Sequence, residues 1–591
     1  MFNFAVDFYS IHCDMKAKLL TLILIPLAFT YAAAGNTVEL NGAWQFRFDK
    51  DVALEQACDP AFEANDVMTV PGCFDVLEQY AKQRGTAQYR KVVYIHENVS
   101  NAVWQIEGMG LRGRFFIDGR KVGESSLAYS CIEFETGPLS AGEHTFAAAL
   151  DNNLINDKDE LFLPYYDFYA FGGFYHGMTL TLQKQKVQLD KVLVRTRDFR
   201  SGVVELELET LCGASLPATV SAAVQFDAGA WSNVKFTDGK ASLKVPDFKL
   251  WSPAHPNLHT VRVKYQGSLA QARFGIRSIE VSGSDILLNG ESIYLKGVNR
   301  HESHPSFGSA TPEQVMINDI HLMKSLGINF VRGSHYTQSQ RFLDLCDEAG
   351  LLVWEESLGW GNRPEQLGNP AFIEKAKEQT RLMVRRSMNH PSVIIFAFLN
   401  EMKSHTPEGK EIADILIKVI REQDSGRLVS FACNSVKTDI SNVNTDIISF
   451  NTYPVWIDKN PMPDSSPETM RRIIQNNFDE IVRYFRGKYG DKPIIISESG
   501  TCGIYGYRDN TAAQWTEDFQ AEYVGHAMDA AFSNKEIKGF TIWHFADADS
   551  YHRSGGVLRT KPFAQNLAGL YDPYRRPKKV TEVVREKFSS K

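Results

Sequence analysis

The sequence predicts a multidomain protein with an N-terminal β jelly-roll sandwich, an immunoglobulin-like β-sandwich and a C-terminal (β/α)8 TIM barrel. Short alternating β runs separated by Gly, Asp and Asn fill the first half of the chain, whereas apolar strands alternate with amphipathic helical stretches in the second half. The chain has 591 residues, more than one hydrophobic core usually fills, so about three domains are expected.

Composition and charge are those of a globular protein, with 23% charged and 43% hydrophobic residues. The net charge of -7 gives no basic footprint, so nucleic acid is not expected as a partner. The 12% of aromatic residues fits a carbohydrate cleft, although most aromatics in β-rich domains are core. The sequence has no CxxC or HExxH pattern, so we predict neither a metal nor a cofactor.

The N-terminal segment, residues 1–34, has the pattern of a signal peptide. A basic start at Met15-Lys-Ala-Lys18 precedes an apolar run over 19–31, too short to span a bilayer, and the small residues 32–34 fit a signal-peptidase site. Because this pattern begins only at Met15, that residue is the expected true start. We therefore expect a periplasmic or secreted protein that is free of the membrane after signal cleavage.

The cysteines do not suggest a disulfide framework. Cys13 would be lost with the leader, and the remaining seven are odd in number and irregularly spaced. Cys58 and Cys73 could pair in an oxidising compartment, but two buried free thiols are favoured.

Residues 36–185 predict the jelly-roll domain, because short runs such as Trp44–Phe48 alternate in polarity. One stretch, Tyr165–Tyr175, is rich in aromatic residues and does not have the pattern of the domain core. Two interpretations are open: a loop packed on a neighbouring domain, or a segment that brings Asp167 into a sugar pocket shared with that domain.

Residues 186–280 predict the immunoglobulin-like sandwich by size and strand spacing. Its expected strands are Leu189–Arg195, Val204–Glu209, Ala218–Phe226 and Thr260–Tyr265. No residue in this region suggests chemistry, so we interpret it as a spacer.

Residues 281–591 predict the barrel, because strands and amphipathic helices alternate there. The expected strands are Tyr294–Val298, Asn329–Arg332, Leu351–Trp354, Val393–Phe398, Leu428–Ala432, Ile447–Phe450, Ile494–Ser497 and Phe540–Trp543. Eight such units make a (β/α)8 barrel, in which catalytic residues lie at the carboxyl ends of the strands.

Polar residues follow seven of these strands. They are Asn299–Pro305, Arg332–Tyr336, Glu355-Glu356, Asn400-Glu401, Asn451–Tyr453, Glu498 and Trp543-His544. One polar residue after a strand is usually a cap or loop group, but seven sets meeting at one barrel mouth favour function, because burying many charges costs stability. Two of the carboxylates, Glu401 and Glu498, suggest glycoside hydrolysis, which needs one acid and one nucleophile.

These motifs resemble glycoside hydrolase family 2, the family of β-galactosidases and β-glucuronidases, over about residues 36–590. The resemblance is carried by Gly297-Val-Asn-Arg-His-Glu-Ser-His-Pro305, Arg332-Gly-Ser-His-Tyr336, Asn389-His-Pro-Ser392 leading into Asn400-Glu401, and Ser497-Glu498. It implies a retaining exo-β-glycosidase with Glu401 as acid/base and Glu498 as nucleophile. The two carboxyl groups would then lie roughly 5–5.5 Å apart, and their repulsion would keep the proton on Glu401.

The resemblance also suggests residues that hold the sugar. Asn400 would hydrogen-bond the 2-hydroxyl, Tyr453 would donate to the nucleophile, and His301 and His335 would contact the sugar as neutral imidazoles. The alternatives are a loop-capping Asn, a core Tyr and satisfied loop histidines.

Three further residues are candidates at the same mouth. Trp543 would form the floor of the pocket against the apolar face of the sugar, and Asp167 would reach in from the first domain to bind hydroxyls. Arg332 would brace the carboxylates, with a purely structural salt bridge as the alternative.

Specificity is the least determined property. Trp354–Trp360 lacks the His that helps large metal-dependent β-galactosidases hold Mg²⁺, so no catalytic metal is predicted. The Asn-x-Lys triplet with which glucuronidases grip the sugar carboxylate is absent from Trp543–Tyr571, although Arg553, Arg559 and Lys561 are nearby cations. A neutral sugar, galactose first, is therefore favoured.

Three functions are compatible with these residues. The first is a β-galactosidase acting on the non-reducing ends of an oligosaccharide or a polysaccharide-derived glycan, as a monomer or a homo-oligomer. The second is a β-glucuronidase or another β-uronidase. The third is a non-catalytic carbohydrate-binding protein, against which the presence of both glutamates argues.

Overall fold

Three β-rich regions follow one another along the chain, and the last of them closes into a barrel. The computed structural model describes residues 36–57, 62–456, 466–551 and 561–591. The predicted signal peptide with Met15, and also Cys58, Arg553 and Arg559, lie outside the described residues. Cys73 is a buried free thiol. Within the described part of the chain, every helix is too short or too polar to cross a membrane.

The first region packs two antiparallel sheets around a shared core. Its strands are β1 (Thr37–Glu39), β2 (Gly42–Asp49), β3 (Asp66–Val70), β4 (Gly72–Cys73), β5 (Thr86–Ile95), β6 (Asn101–Ile106), β7 (Arg112–Ile117), β8 (Arg120–Ser125), β9 (Ile132–Glu135), β10 (Gly142–Asp151), β11 (Gly173–Phe174) and β12 (Met178–Gln183). One sheet has the order β1-β12-β6-β9 and the other β3-β2-β5-β10-β7-β8. Alternate residues of β12 are buried, and Trp44 stacks on Trp104 between the sheets. The sandwich is therefore observed, and its jelly-roll assignment stays a prediction.

The second region is a single antiparallel sheet of seven strands. They are β13 (Leu189–Asp198), β14 (Val203–Thr210), β15 (Thr219–Phe226), β16 (Ser232–Thr237), β17 (Lys240–Lys244), β18 (His259–Tyr265) and β19 (Ser268–Phe274). The order is β13-β14-β17-β16-β15-β18-β19, and the two edge strands contact each other, so the sheet curls around its own apolar core. The immunoglobulin-like assignment stays a prediction.

A small antiparallel sheet seals the amino end of the barrel. It comprises β20 (Ile279–Ser282), β21 (Asp285–Leu288) and β22 (Glu291–Ser292). Ile279, Ile286 and Leu288 share a buried cluster with residues near the starts of the barrel strands, such as Leu295 and Leu352. Apolar side chains therefore close the interior of the barrel at this end.

The barrel is one parallel sheet. Its strands are β23 (Leu295–Arg300), β24 (Phe330–Gly333), β25 (Leu352–Trp360), β26 (Val393–Asn400), β27 (Leu428–Ser430), β28 (Ala432–Cys433), β29 (Ile448–Asn451), β30 (Ile494–Ser499) and β31 (Ile537–Ile542), followed by the short pair β32 (Ala548–Asp549) and β33 (Gln565–Asn566). The order is β27-β26-β25-β24-β23-β31-β30-β29-β28. This confirms the predicted TIM barrel.

The predicted fifth strand is broken, which corrects the continuous strand expected over Leu428–Ala432. Its halves β27 and β28 pair with β26 and β29 respectively, so the chain itself closes the ring at Phe431. Ser449 Oγ donates to the carbonyl of Phe431 at 3.0 Å, and Ser430 Oγ donates to the carbonyl of Ile447 at 2.9 Å. Side-chain hydroxyls therefore replace part of the backbone ladder at the break.

The helices surround the barrel. They are α1 (Glu313–Ser325), α2 (Gln340–Ala349), α3 (Pro364–Leu367), α4 (Pro370–Ser387), α5 (Pro407–Gln423), α6 (Pro467–Tyr489), α7 (Glu517–Ser533) and α8 (Val580–Ser590). The side chains of Thr406, Ser466 and Thr516 cap α5, α6 and α7 by accepting backbone N–H bonds. These caps fix where the loops at the mouth end.

Several residues predicted to follow strands lie inside them. β25 continues to Trp360, so Glu355 and Glu356 belong to the strand, and Glu498 lies within β30. We predicted the strand ends from the last apolar side chain. The strands continue further, because their polar side chains pair with one another inside the barrel.

Candidate active site

Arg332 joins side chains from four strands at the carboxyl end of the barrel. Nη1 donates to Glu498 Oε1 at 2.5 Å and to Asn299 Oδ1 at 2.9 Å. Nη2 donates to Asn400 Oδ1 at 2.9 Å, while Nε and Nη2 form a two-pronged pair with Glu356. A fully buried guanidinium needs such partners. The contact with Glu498 makes Arg332 part of the candidate site as well as a structural tie.

Glu498, the predicted nucleophile, accepts two short hydrogen bonds. Besides Arg332, the Tyr453 hydroxyl donates to Oε2 at 2.5 Å. Burial raises the pKa of Glu498 to about 7, while the Arg332 charge and the Tyr453 hydroxyl act against that rise. Both partners favour the ionised carboxylate.

Glu401, the predicted acid/base, accepts hydrogen bonds from two neutral amides among the described residues. Asn451 Nδ2 donates to Oε1 at 2.8 Å and Asn434 Nδ2 donates to Oε2 at 2.9 Å. Burial, and next the negative charge of Glu498, raise the pKa of Glu401 to about 7. Since the cation contacts Glu498, we assign the shared proton to Glu401.

The two carboxylates are linked through amides. Asn400 Oδ1 accepts from Arg332 and also from Asn451 Nδ2, the latter at 3.1 Å. Asn451 Oδ1 accepts from Ser497 Oγ at 2.7 Å, which fixes its amide group. Glu498 and Glu401 thus share a continuous chain of hydrogen bonds through these side chains. Glu401 itself has a φ of 55°, a left-handed conformation that costs about 1–3 kcal/mol in a non-glycine residue.

Histidine and tryptophan rings form one wall of the mouth. His335 stacks on Trp543 with a centroid distance of 5.2 Å, and His301 meets Trp543 edge-on at 5.4 Å. Burial lowers the pKa of both histidines well below the usual value, so each is a neutral imidazole. Trp543 is 3% exposed, and its role as a pocket floor stays a prediction.

His335 offers a donor to the mouth. Its Nδ1 accepts from Arg332 Nη2 at 3.2 Å, so the ring proton lies on Nε2. Nε2 is buried, 4.0 Å from Glu498 Oε1, and has no hydrogen-bond partner within the described ranges. A sugar hydroxyl beside Glu498 would satisfy it.

Asp167, from the first region, lies close to the candidate site residues of the barrel, and its place in a sugar pocket stays a prediction. Its Oδ2 lies 3.1 Å from Lys561 Nζ, and its charge raises the pKa of both Glu401 and Glu498. The neighbouring Phe168 is buried in the barrel-side core and packs on His301. The two interpretations of this segment are compatible, because its aromatic residues pack on the barrel and thereby position Asp167.

Lys561 is a buried cation in the same wall, only 6% exposed. With the Asn566 amide oriented to satisfy its neighbours, its oxygen accepts from Lys561 Nζ at 2.5 Å and from Trp543 Nε1 at 2.9 Å. The sequence indicated Lys561 only as a nearby cation. Its contact with Asn566 and Asp167 depends on two chain segments that sequence spacing does not connect.

Several contacts were not foreseen. The sequence suggested no role for Asn434 on Glu401, for Glu356 on Arg332 or for Asn566 on Lys561. Asn434 follows β28, the short second half of the broken strand. Because the sequence predicted one continuous strand there, Asn434 was not recognised as a residue at a strand end.

A cluster of possible metal ligands occurs away from the mouth. Among the described residues it comprises Asp344, Asp347 and His390. His390 Nδ1 already lies 2.6 Å from Asp347 Oδ2, and Asp344 pairs with Arg273. These side chains therefore have protein partners, and we assign them no metal.

Comparison with known proteins gives consistent results. A family model described as "Glycosyl hydrolases family 2, TIM barrel domain" matches residues 279–590. A β-glucuronidase of Streptococcus agalactiae is 23% identical and aligns over 94% of this chain and 96% of the relative. The β-glucuronidase of Sus scrofa is 25% identical over 93% of this chain and 90% of the relative.

Solved structures agree over nearly the whole chain. A β-galacturonidase from Eisenbergiella tayi, bound to galacturonate, is 28% identical with a TM-score of 0.82, covering 94% of this chain and 97% of that chain. A Bifidobacterium dentium β-glucuronidase in complex with coumarin-3-O-glucuronide is 21% identical with a TM-score of 0.83, covering 94% and 97%. The second likeness concerns the fold alone.

Proposed function

Because the chain belongs to glycoside hydrolase family 2 and is thus a glycoside hydrolase acting on glycans, we propose that it is an exo-β-uronidase. It would remove a terminal β-linked glucuronic or galacturonic acid with retention of configuration. The relatives named β-glucuronidase and the similar β-galacturonidase structure support this substrate class. The preference for galactose finds no support in these comparisons, which favour the second of the three functions.

The observation that carries the proposal is the buried ammonium group of Lys561 at the mouth. A lysine offers three N–H donors. Asp167 Oδ2 lies 3.1 Å from Nζ and the Asn566 oxygen accepts from it at 2.5 Å, two contacts for three N–H groups. A sugar carboxylate would accept the third N–H and complete the coordination of the cation. The absent Asn-x-Lys triplet therefore does not leave the pocket without a cation.

The two glutamates would perform a double displacement. Glu498 attacks the anomeric carbon while Glu401 gives its proton to the leaving oxygen, so the glycosidic bond breaks and a glycosyl ester of Glu498 forms. Forming the ester removes the negative charge of Glu498, which lowers the pKa of Glu401. Glu401 then takes a proton from water, whose oxygen attacks the anomeric carbon and releases Glu498.

The remaining side chains would orient these steps. Tyr453 and Arg332 hold Glu498 ionised and fix its orientation, and His335 Nε2 donates to a sugar hydroxyl beside it. Asn400 accepts from Arg332 and Asn451 through its oxygen, and its Nδ2 is buried without a partner among the described residues. That amide N–H group would meet the 2-hydroxyl of the sugar.

A panel of 4-nitrophenyl β-D-glycosides tests the proposal. We expect a higher kcat/KM for the glucuronide or the galacturonide than for the galactoside, and the β-anomer as first product by proton NMR. The Glu498→Ala variant is the control for contaminating activity. A galactoside turned over faster than both uronides would overturn the uronidase, and an α-anomer as first product would overturn the double displacement.

A further inference from the structure

A polar cavity lies at the end of the barrel opposite the mouth. Its volume is about 670 Å³, and it is lined by the end of β13, by residues 274–280, and by the loops that lead into β26 and β27. Glu401 directly follows β26, whereas this cavity borders the start of that strand. The eight residues of β26 at about 3.3 Å each separate the two by roughly 25 Å. The cavity is therefore not part of the candidate active site.

Arginines dominate the lining of this cavity. Four of them have carboxylate partners: Arg195 with Glu207, Arg197 with Glu205, Arg421 with Asp446 and Arg427 with Asp424. Asp198 in the lining accepts from Ser201 and the backbone N–H of Arg200. The other two arginines of the lining, Arg200 and Arg277, have no ion pair with any described carboxylate.

Arg277 is the buried member of this pair, with 7% exposure. Its Nε donates to Pro391 O at 3.0 Å and its Nη2 to Val393 O at 2.6 Å. Arg427 Nε donates to the same Val393 oxygen at 2.8 Å, so two cations share one acceptor. Burial and the charge of Arg427 lower the pKa of Arg277 to about 9. No hydrogen bond joins its Nη1 to a described residue, so this N–H pair of a largely buried side chain is available to a ligand in the cavity.

Two further donors border the same space. Ser278 Oγ is buried and has no hydrogen-bond partner in the described ranges. Arg200 is exposed at the rim, where its guanidinium lies 4.5 Å from the ring of Phe199. Glu280 is the opposing charge, but it is exposed to solvent, which screens it.

We propose that this cavity binds a small oxyanion, a carboxylate or a phosphate group, through Arg277, Arg200 and Ser278. Guanidinium groups bind such planar or tetrahedral oxygens with two parallel hydrogen bonds, and the hydroxyl adds a third donor. The bound anion would offset the repulsion between Arg277 and Arg427. This proposal does not depend on the uronidase activity.

Calorimetric titration of the full chain with inorganic phosphate, and separately with D-galacturonate, tests this site. Both titrations use a Lys561→Gln background, which weakens binding at the catalytic mouth. We expect at least one probe to bind with a Kd of about 1 mM or tighter. The Arg200→Gln change should weaken it at least about tenfold, the loss for removing one charged donor. The probe that binds identifies the oxyanion.

Arg472→Gln is the matched control, because Arg472 is an exposed arginine on α6 outside the cavity. Arg277→Gln should abolish binding, and Arg200→Gln decides the matter if the Arg277 variant does not fold. In an otherwise unchanged chain, Arg200→Gln should leave the turnover of the best glycoside unaltered. Absence of binding for both probes, or equal affinity in the Arg200 and Arg472 variants, would overturn the proposal.

Discussion

Replacing Lys561 with glutamine tests the proposed carboxylate contact most directly. In the wild type, Lys561 Nζ has partners in Asp167 and Asn566, and the proposal assigns its third N–H to the substrate carboxylate. A hydrogen bond to a charged group contributes about 1.5–3 kcal/mol. Its loss should lower kcat/KM for a β-uronide about 10- to 150-fold, since about 1.4 kcal/mol corresponds to a factor of ten.

The assay compares the kcat/KM of a 4-nitrophenyl β-uronide with that of the matching neutral glycoside. Lys538→Gln is the control, since Lys538 is also ion-paired, to Asp285, but lies at the amino end of the barrel. Because a neutral sugar has no carboxylate, the Lys561 variant should narrow the preference for the uronide. Equal losses on both substrates would show that Lys561 supports the fold or the pocket shape only, and would refute the proposed contact.

The site and the fold lead to four more predictions. Glu498→Ala should lower kcat by several orders of magnitude in a steady-state assay, as removal of a core catalytic group does. Glu401→Gln should lower kcat/KM about 10²- to 10⁴-fold for substrates with poor leaving groups. Because the pKa of Glu401 is about 7 and its protonated form is required, wild-type activity should fall above that pH. The Glu401→Gln variant should lack this fall in its pH profile. Tyr453→Phe removes a donor to the Glu498 carboxylate, so the pKa of Glu498 should rise and the acid limb of the pH profile should move to higher pH. Phe431→Ala, at the fully buried break of the fifth strand, should lower the free energy of unfolding by about 3–5 kcal/mol in denaturant titration, and a loss under 1 kcal/mol would contradict the role of that side chain.

The barrel could be predicted because its strands are buried on both faces. β26 is apolar from Val393 to Leu399 and β30 begins with three isoleucines, and such runs are typical of parallel strands. The break at Phe431 could not be predicted, because Ser430 and Ser449 hydroxyls replace backbone hydrogen bonds there without changing the apolar pattern.

The candidate catalytic pair could also be predicted, since Glu401 directly follows β26 and Glu498 lies next to the last residue of β30. The proposed carboxylate-binding residue, Lys561, could not be predicted. Lys561 lies beyond the last barrel strand, and its partner Asp167 is in a different region of the chain. Residue spacing within one loop cannot show a pair formed between two regions of the chain. The missing Asn-x-Lys triplet therefore suggested a neutral sugar, whereas the fold places the cation Lys561 at the mouth.

The pairing of Asp167 with Lys561 limits how the molecule could be shortened. Residues 279–590 contain every candidate catalytic group, yet without the first region they would expose Lys561 and lose the aromatic packing of Phe168 on His301. An isolated barrel would keep the candidate catalytic residues but lose the part of the mouth that the first region forms. To transfer substrate specificity from one such enzyme to another, the Tyr165–Tyr175 segment would have to be exchanged together with the barrel loops.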